Sequence, residues 1–446
     1  MNKMRISVMG IGYVGLCTAV GFASKGYNVI ASTHDAQKAV KINKGIPPFH
    51  EPNLQEMLKE AIQKGYLKCL TNQTEKAVLE TDLTFNAVGT PSRPDGSIDL
   101  QFIETSTHDI GKALNKKNTY HVVIIKSTVV PGTTQNLVKP ILEKESKKKC
   151  GLDFGLCMNP EFLRQGSAFE DTINTDRIVI GEYDKKSGDT LENLYKDFYG
   201  KNTPPTIRTT LSTAELIKYA SNSMLATKIS FINTIANICE KIPGADVKVV
   251  ATAMGLDKRI GPLFLSAGLG YGGSCFPKDV KALIAYSKNR GYHLKLLESV
   301  ESINKTQPLK VVQFCKDVLG NLKDKHIAIL GLAFKADTDD MREARVIPII
   351  NQLIKEDAKI TAYDPVAIPI AKPIFKNKIQ YASSTIECLK NADCCILVTE
   401  WDEFKKLKPE DFTKNMKQPI LIDGRRIYNP QEFSQKLKFT AIGLGQ

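Results

Sequence analysis

The sequence predicts an α/β protein in which two doubly wound domains are joined by a central helical domain with one long helix. Three observations predict it. The chain opens with a strand, a glycine-rich turn and a helix at Arg5–Ser24. A matching series of strands recurs toward the C-terminus. The stretch Ser212–Lys241 between them holds neither glycine nor proline. The length of 446 residues leaves room for about two to four domains.

Arg5–Met9 reads as a strand, Gly10-Ile11-Gly12-Tyr13-Val14-Gly15 as a turn and Leu16–Ser24 as a helix. Strand, G-x-G-x-x-G, helix is the order that a dinucleotide-binding turn requires. The first two glycines let the backbone approach a pyrophosphate. The third lets helix pack on strand, and the helix N-terminus faces the phosphates. Gly10, Gly12, Tyr13, Val14 and Gly15 are therefore expected to hold NAD in a Rossmann-like domain over residues 1–203. An acidic residue is expected at the end of the next strand, to bind the ribose hydroxyls. Asn28–Ser32 leads instead into Thr33-His34-Asp35, with Lys38 close behind. Thr33 takes the acidic position, and Asp35 can equally cap a helix over Ala36–Asn43, so NADP stays open beside NAD.

The C-terminal part repeats this architecture. His326–Leu330 corresponds to Arg5–Met9, Lys359–Tyr363 to Asn28–Ser32, Asn391–Val398 to Glu80–Val88, and Pro419–Ile422 to His121–Lys126. Strands alternating with helices imply parallel sheets covered on both faces. Residues 306–446 read as a second Rossmann-like domain. There Gly331-Leu332-Ala333-Phe334-Lys335 replaces the glycine-rich turn, so no dinucleotide is expected. Lys335, Arg342, Arg425 and Arg426 fall in loops at its strand ends, where they could hold phosphates or simply be solvated charge.

Residues 204–305 form the helical domain between the copies. Ser212-Thr213-Ala214-Glu215 has the spacing of a capping box, and the helix that follows is apolar nearly all round. Such a helix belongs in a core or at a subunit interface. Lys218 and Asn222 share one of its faces, and polar groups on a buried helix need partners.

Gly270-Tyr271-Gly272-Gly273-Ser274-Cys275-Phe276-Pro277-Lys278-Asp279 carries the strongest chemical signal. Its glycines let backbone approach a ligand closely, and Pro277 suits the first turn of a helix that stops near Gly291. Cys275 then stands at a helix N-terminus, which favours the thiolate, the nucleophilic form. The plain alternative is a buried cysteine in a tight turn.

Composition narrows the class. Hydrophobic content of 42% and charged content of 24% are ordinary for a globular protein. No apolar run reaches the length of a membrane span, and the strand at Arg5 leaves no room for a signal peptide. The ten cysteines form no C-x-x-C pair, and no histidine cluster has metal spacing. Reduced thiols, a cytoplasmic address and no metal are expected. The net charge of +13 is spread along the chain, with one compact run at Lys147–Lys149 and no nucleic-acid module. Neither nucleic acid nor a membrane is expected as a partner, and the charge would attract anionic nucleotides.

With these segments in place, the chain resembles the UDP-glucose 6-dehydrogenase family, within the UDP-glucose/GDP-mannose dehydrogenases, over nearly its whole length. Gly10–Leu16, Lys126–Thr133, Asn159–Ala168, Lys218–Phe231, Asp257–Gly261, Gly270–Asp279 and Gly331–Glu343 carry the resemblance, in the family's order. The resemblance implies a four-electron, NAD-dependent oxidation of UDP-glucose at C6 to UDP-glucuronate. It implies that Cys275 captures the intermediate aldehyde as a thiohemiacetal, which a second oxidation turns into a thioester. Lys218, Asn222 and Asp279 then orient the C6 oxygen and the hydrolytic water. Glu161 takes the acid–base position and Thr128 a water-holding one. The nucleotide sugar would be contacted by Glu161, Phe162, Leu163, Arg164, Lys218 and Asn222 on one side. Tyr271, Gly272, Phe276, Phe334, Lys335 and Arg425 would serve on the other. Thr90, Thr128, Lys278 and Arg342 would complete the cofactor site. Arg259 would reach the sugar nucleotide of a neighbouring subunit, which implies at least a homodimer. Three positions depart from the family pattern. Gln165 stands where many relatives carry glutamate, Thr234 replaces a frequent glutamate after Asn233, and Thr33 is the cofactor departure. GDP-mannose dehydrogenases are the alternative within the superfamily. Two-electron hydroxyacid dehydrogenases, which share a Lys-x-x-x-Asn helix, are the alternative outside it.

Overall fold

The computed structural model describes residues 3–445. The chain divides into two compact units, with the boundary between Ser221 and Asn222.

The first unit holds strands β1 (Ile6–Met9), β2 (Val29–Thr33), β3 (Leu67–Thr71), β4 (Leu83–Asn86), β5 (Val122–Ile125), β6 (Gly155–Met158), β7 (Ile178–Glu182) and β8 (Thr206–Thr210). They form one sheet in the order β3-β2-β1-β4-β5-β6-β7-β8. Helix α1 (Tyr13–Ser24) follows β1, α2 (Ala36–Asn43) follows β2, and α3 (Lys139–Ser146) precedes β6. Alternation along the strands fills both faces. Val122 and Ile124 enter one core with Leu16 and Phe22, while Val123 and Ile125 enter another with Ile110 and Leu114. The strand pairs run parallel except β6 with β7, which is antiparallel. This departs from the all-parallel expectation. The segment from Asn159 to Arg177 contains only the six-residue helix Ala168–Ile173, too little for the covering crossover that a parallel return needs.

Helix α4 (Leu211–Cys239) starts in the first unit and ends in the second. It leaves β8 without a loop, so it begins one residue before Ser212. The Thr210 hydroxyl accepts the Thr213 N–H at 3.3 Å, so Thr210 caps this turn and Ser212-Thr213-Ala214-Glu215 is not a capping box. The helix is also not buried all round. Met224, Phe231 and Ile238, seven residues apart, are 60%, 49% and 51% exposed.

The second unit contains helix α5 (Phe276–Lys288) and a six-stranded sheet. Its strands are β9 (His326–Leu330), β10 (Lys359–Tyr363), β11 (Gln380–Tyr381), β12 (Cys394–Leu397), β13 (Ile420–Asp423) and β14 (Lys438–Ala441). The order β11-β10-β9-β12-β13-β14 repeats the β3-β2-β1-β4-β5 arrangement of the first sheet. Among the described residues, no helix is long and apolar enough to cross a membrane.

Candidate active site

The turn after β1 is shaped for a dinucleotide. Gly10 has φ +86°, and a Cβ there would stand 2.6 Å from the Val88 Cα. At Gly15 it would meet the Gly10 carbonyl oxygen at 1.9 Å, so helix and turn meet here in a way only glycine allows. The space over Gly12 is open, and no side chain caps α1 there. First-turn amides facing open space suit a pyrophosphate, so the residues present fit NAD. Tyr13 stacks on Phe49 with ring centres 3.8 Å apart, and Val14 follows it in the first turn. Thr33 closes β2, and its hydroxyl accepts the Asp35 N–H at 3.2 Å. Asp35 caps α2 through the Lys38 N–H at 2.9 Å, and Lys38 is half-buried. Thr90 donates to the Thr128 carbonyl at 2.9 Å, which joins the loops that follow β4 and β5.

The first unit also assembles a buried ion pair. Lys218 of α4 meets Glu161 at 3.0 Å, with side chains 3% and 6% exposed. Burial alone would raise the Glu161 carboxyl. The Lys218 ammonium, the Leu163 N–H at 2.6 Å and the positive charge of Lys126 outweigh burial and hold it below the usual carboxylate range. Glu161 is therefore ionised and able to accept a proton. Phe162 lies under the Arg177 guanidinium at 3.7 Å, with the Lys218 ammonium 5.5 Å from the same ring. Arg164 is tied to Asp171 at 2.6 Å. Gln165 is buried in a loop that Glu51 grips through the Gly166 and Ala168 amides at 2.8 and 2.6 Å.

The second unit places the nucleophile. Cys275 is the N-terminal cap residue of α5, with Pro277 in the first turn, as the sequence predicts. Among the described residues, nine cysteines are buried and Cys275 alone is partly exposed. The Ser274 hydroxyl lies 3.6 Å from its sulfur. One turn into α5, Asp279 is 1% exposed and accepts from Asn222 Nδ2 at 2.6 Å and from Lys278 Nζ at 2.6 Å. The loop glycines serve packing within the protein. A Cβ on Gly273, at φ +80°, would collide with the Phe334 ring at 2.8 Å, and one on Gly272 with the Glu343 carbonyl at 2.5 Å. Tyr271 is buried against Phe276, its hydroxyl 3.3 Å from Glu301.

The cationic residues of this unit separate into kinds. Arg425 donates to the Val398 and Phe334 carbonyls at 2.6 and 3.1 Å, so it braces the Phe334 loop. Lys335 lies 5.9 Å from the Phe334 ring. Arg342 pairs with Asp340 at 2.6 Å yet keeps a side chain 58% exposed. Arg426 is buried on Asp246, which makes it structural. Arg259 is 89% exposed beside Asp257 and lies outside both clusters. The turn after β9 is closed to a dinucleotide by an internal carboxylate. Asp364 accepts the Leu332 and Ala333 amides at 2.7 and 3.0 Å, the donors that a pyrophosphate would use.

Three models of the UDP-glucose/GDP-mannose dehydrogenase family match the chain. They are its NAD binding domain over residues 4–199, its central domain over 212–306 and its UDP binding domain over 328–430. The chain belongs to the UDP-glucose/GDP-mannose dehydrogenase family. UDP-glucose 6-dehydrogenase TuaD of Bacillus subtilis is 41% identical over 428 residues, covering 96% of this chain and 90% of the relative. UDP-glucose 6-dehydrogenase AglM of Haloferax volcanii is 41% identical over 430 residues, covering 96% and 98%. The solved structure of a UDP-glucose dehydrogenase from Pyrobaculum islandicum matches with TM-score 0.91 at 36% identity, over 99% of this chain and 98% of that one.

For this member of the family, the sequence reading gave no role to Lys126. Its ammonium is buried and donates to the Asn159 side-chain oxygen at 2.8 Å, which Tyr195 also meets at 2.5 Å. Burial pushes Lys126 down to about 8, with Glu161 acting the other way. A lysine directly after the apolar strand Val122–Ile125 was the available signal.

Proposed function

We propose that the protein oxidises UDP-glucose at C6 to UDP-glucuronate, in two NAD-dependent steps with a covalent hold between them. One observation carries the reading: the single partly exposed cysteine caps the helix that also bears the buried Asp279. The 41% identity to UDP-glucose 6-dehydrogenases supports the choice of sugar nucleotide. Bound NAD+, held by Gly10–Gly15 with Thr90 and Thr128, supplies the hydride acceptor for each oxidation.

The residues divide the remaining work. Glu161, ionised beside Lys218, takes up the proton of the C6 alcohol. Lys218 stabilises negative charge that develops on the C6 oxygen. The Cys275 sulfur adds to the aldehyde carbon, and loss of hydride from that adduct leaves a thioester. Asp279, oriented by Asn222, draws a proton from the hydrolytic water, and Thr128 is assigned to holding that water. The water then cleaves the thioester, releasing the acid and returning the cysteine. For the nucleotide sugar, the first unit offers the Phe162–Arg164 loop, and the second offers Tyr271 and Phe334. Nine buried thiols suit a reducing, cytoplasmic setting.

An absorbance assay at 340 nm tests the substrate. With NAD+, UDP-glucose should give a kcat/KM at least roughly tenfold above GDP-mannose and UDP-N-acetyl sugars, the discrimination a few pocket contacts can supply. A preference for GDP-mannose overturns the assignment. The same assay with NADP+ reads the effect of Thr33, which lacks the carboxylate that would repel a 2′-phosphate.

The active form is proposed to be a homodimer formed through the exposed stripe of Met224, Phe231 and Ile238. These side chains are already about half buried, so removing the rest from water contributes on the order of 1 kcal/mol each. Arg259, exposed and outside its own chain's clusters, then reaches the partner's sugar nucleotide. Arg259→Ala should raise the KM for UDP-glucose roughly tenfold or more, because charge-assisted bonds to phosphate are strong. A fully active monomer in analytical ultracentrifugation contradicts this arrangement.

A further inference from the structure

Glu215 is an acid where the fold otherwise places apolar groups. It is the fifth residue of α4, three residues before Lys218, and is fully buried. Leu211 and Ala214, in the turn just before it, belong to the hydrophobic core under the sheet. Its oxygens accept the Gly132 N–H at 2.5 Å and the Thr134 N–H at 2.7 Å. Thr134 begins the helical segment that continues into α3, so the carboxylate takes donors that would otherwise be orphaned at a helix start. Burial pushes the Glu215 carboxyl up to about 7, and the Thr134 side chain with the Thr134 and Gly132 amides opposes that.

The same loop is fixed at its other end. The Ser127 hydroxyl donates to the Val88 carbonyl at 2.7 Å, and Thr90 holds the Thr128 carbonyl. Between the two anchors, the Thr133 hydroxyl donates to the Val130 carbonyl at 2.6 Å and closes a tight turn. The only grip tying this turn directly to the start of α4 among these bonds is Glu215.

We infer that Glu215 is a positioning residue, whose carboxylate locks the Ser127–Thr134 loop to the turn of α4 that carries Lys218 and so fixes Thr128 relative to Lys218. The inference rests on the reading above, in which Thr128 holds the hydrolytic water. Glu215 touches no reacting atom. It acts through the backbone of the loop, and a small displacement of a positioned group costs rate rather than binding.

A double-mutant cycle with UDP-glucose and NAD+ tests this. Glu215→Gln replaces one acceptor by a donor that faces an N–H. It should lower kcat roughly 10- to 100-fold while each KM stays within about twofold. In the Thr128→Ala background the same change should cost less than about threefold further, since residues that act through one another are not additive. Fully additive losses, or an unchanged kcat in Glu215→Gln, overturn the assignment. A Thr128→Ala protein with wild-type kcat overturns the role of Thr128 in the mechanism, and the proposal with it. That failure is read in a different variant. Should Glu215→Gln not fold, amide exchange in the unaltered protein decides. The Gly132 and Thr134 amides should exchange at least about 100-fold slower than exposed loop amides, and unprotected exchange there overturns the grip.

Discussion

Cys275→Ala should lower the rate of UDP-glucuronate formation on the order of 10⁴-fold or more, while UDP-glucose and NAD+ still bind. The side chain is partly exposed at a helix start, so its removal opens no core cavity and the variant should fold normally. The unaltered protein should reduce two NAD+ for each UDP-glucose consumed, with no free aldehyde. Cys275→Ser should stall as a slow ester or lose turnover. Replacing a buried cysteine such as Cys17 or Cys315 should leave the stoichiometry intact. Burial raises the Cys17 thiol well above its ordinary value, which keeps it protonated and unreactive. Measured acid yield and the NADH-to-sugar ratio decide. A ratio near one, or normal acid output without Cys275, removes the thioester route and favours a two-electron dehydrogenase.

Lys218→Met should harm both stability and rate, and a second substitution should separate the two. Removing the ammonium leaves Glu161 as a buried carboxylate without its ion-pair partner, at a cost of about 3–5 kcal/mol. It also removes the charge that stabilises the developing oxyanion, worth on the order of 10²–10³ in kcat. Lys218→Met combined with Glu161→Gln should recover most of the lost stability, because a buried pair can be replaced by neutral groups at little cost. It should recover none of the activity. Urea unfolding midpoints and kcat, measured on the two single variants and the double one, check this. A double variant as unstable as Lys218→Met would show that the pair is not what holds these side chains in place.

Much of the architecture could be read from residue patterns. The turn at Gly10–Gly15 stood out because a strand and a helix flank it, and four strand correspondences fall on equivalent positions of the two sheets. Several strands went unread, among them the apolar and buried Ile178–Glu182. Thr206–Thr210 reads T-I-R-T-T with little burial, and Gln380–Tyr381 has only two residues. Their pairing depends on neighbours distant in sequence, so no local pattern marks them. The chemistry was legible where a residue type violates its surroundings. Lys218 and Asn222 on an apolar helix needed partners, and Glu161 and Asp279 are those partners. Glu215 was misread because its local spacing imitates a cap, while its carboxylate bonds lie 81 and 83 residues upstream. The loop glycines at Gly272 and Gly273 invited a ligand on sequence grounds. Glu343 and Phe334, which fill the space, are about 60 to 70 residues away.

The Asp364 carboxylate bears on the timetable of the reaction. By satisfying the amides after β9 from within, it acts as a permanent resident anion in the second sheet. Among the described residues, the turn after β1 is thus the one of these two turns left open to a dinucleotide, although the proposed chemistry spends two hydride acceptors. That seat has to be vacated and refilled in mid-course. During the changeover a freely diffusing aldehyde would escape, so an anchor such as Cys275 becomes a requirement of single occupancy.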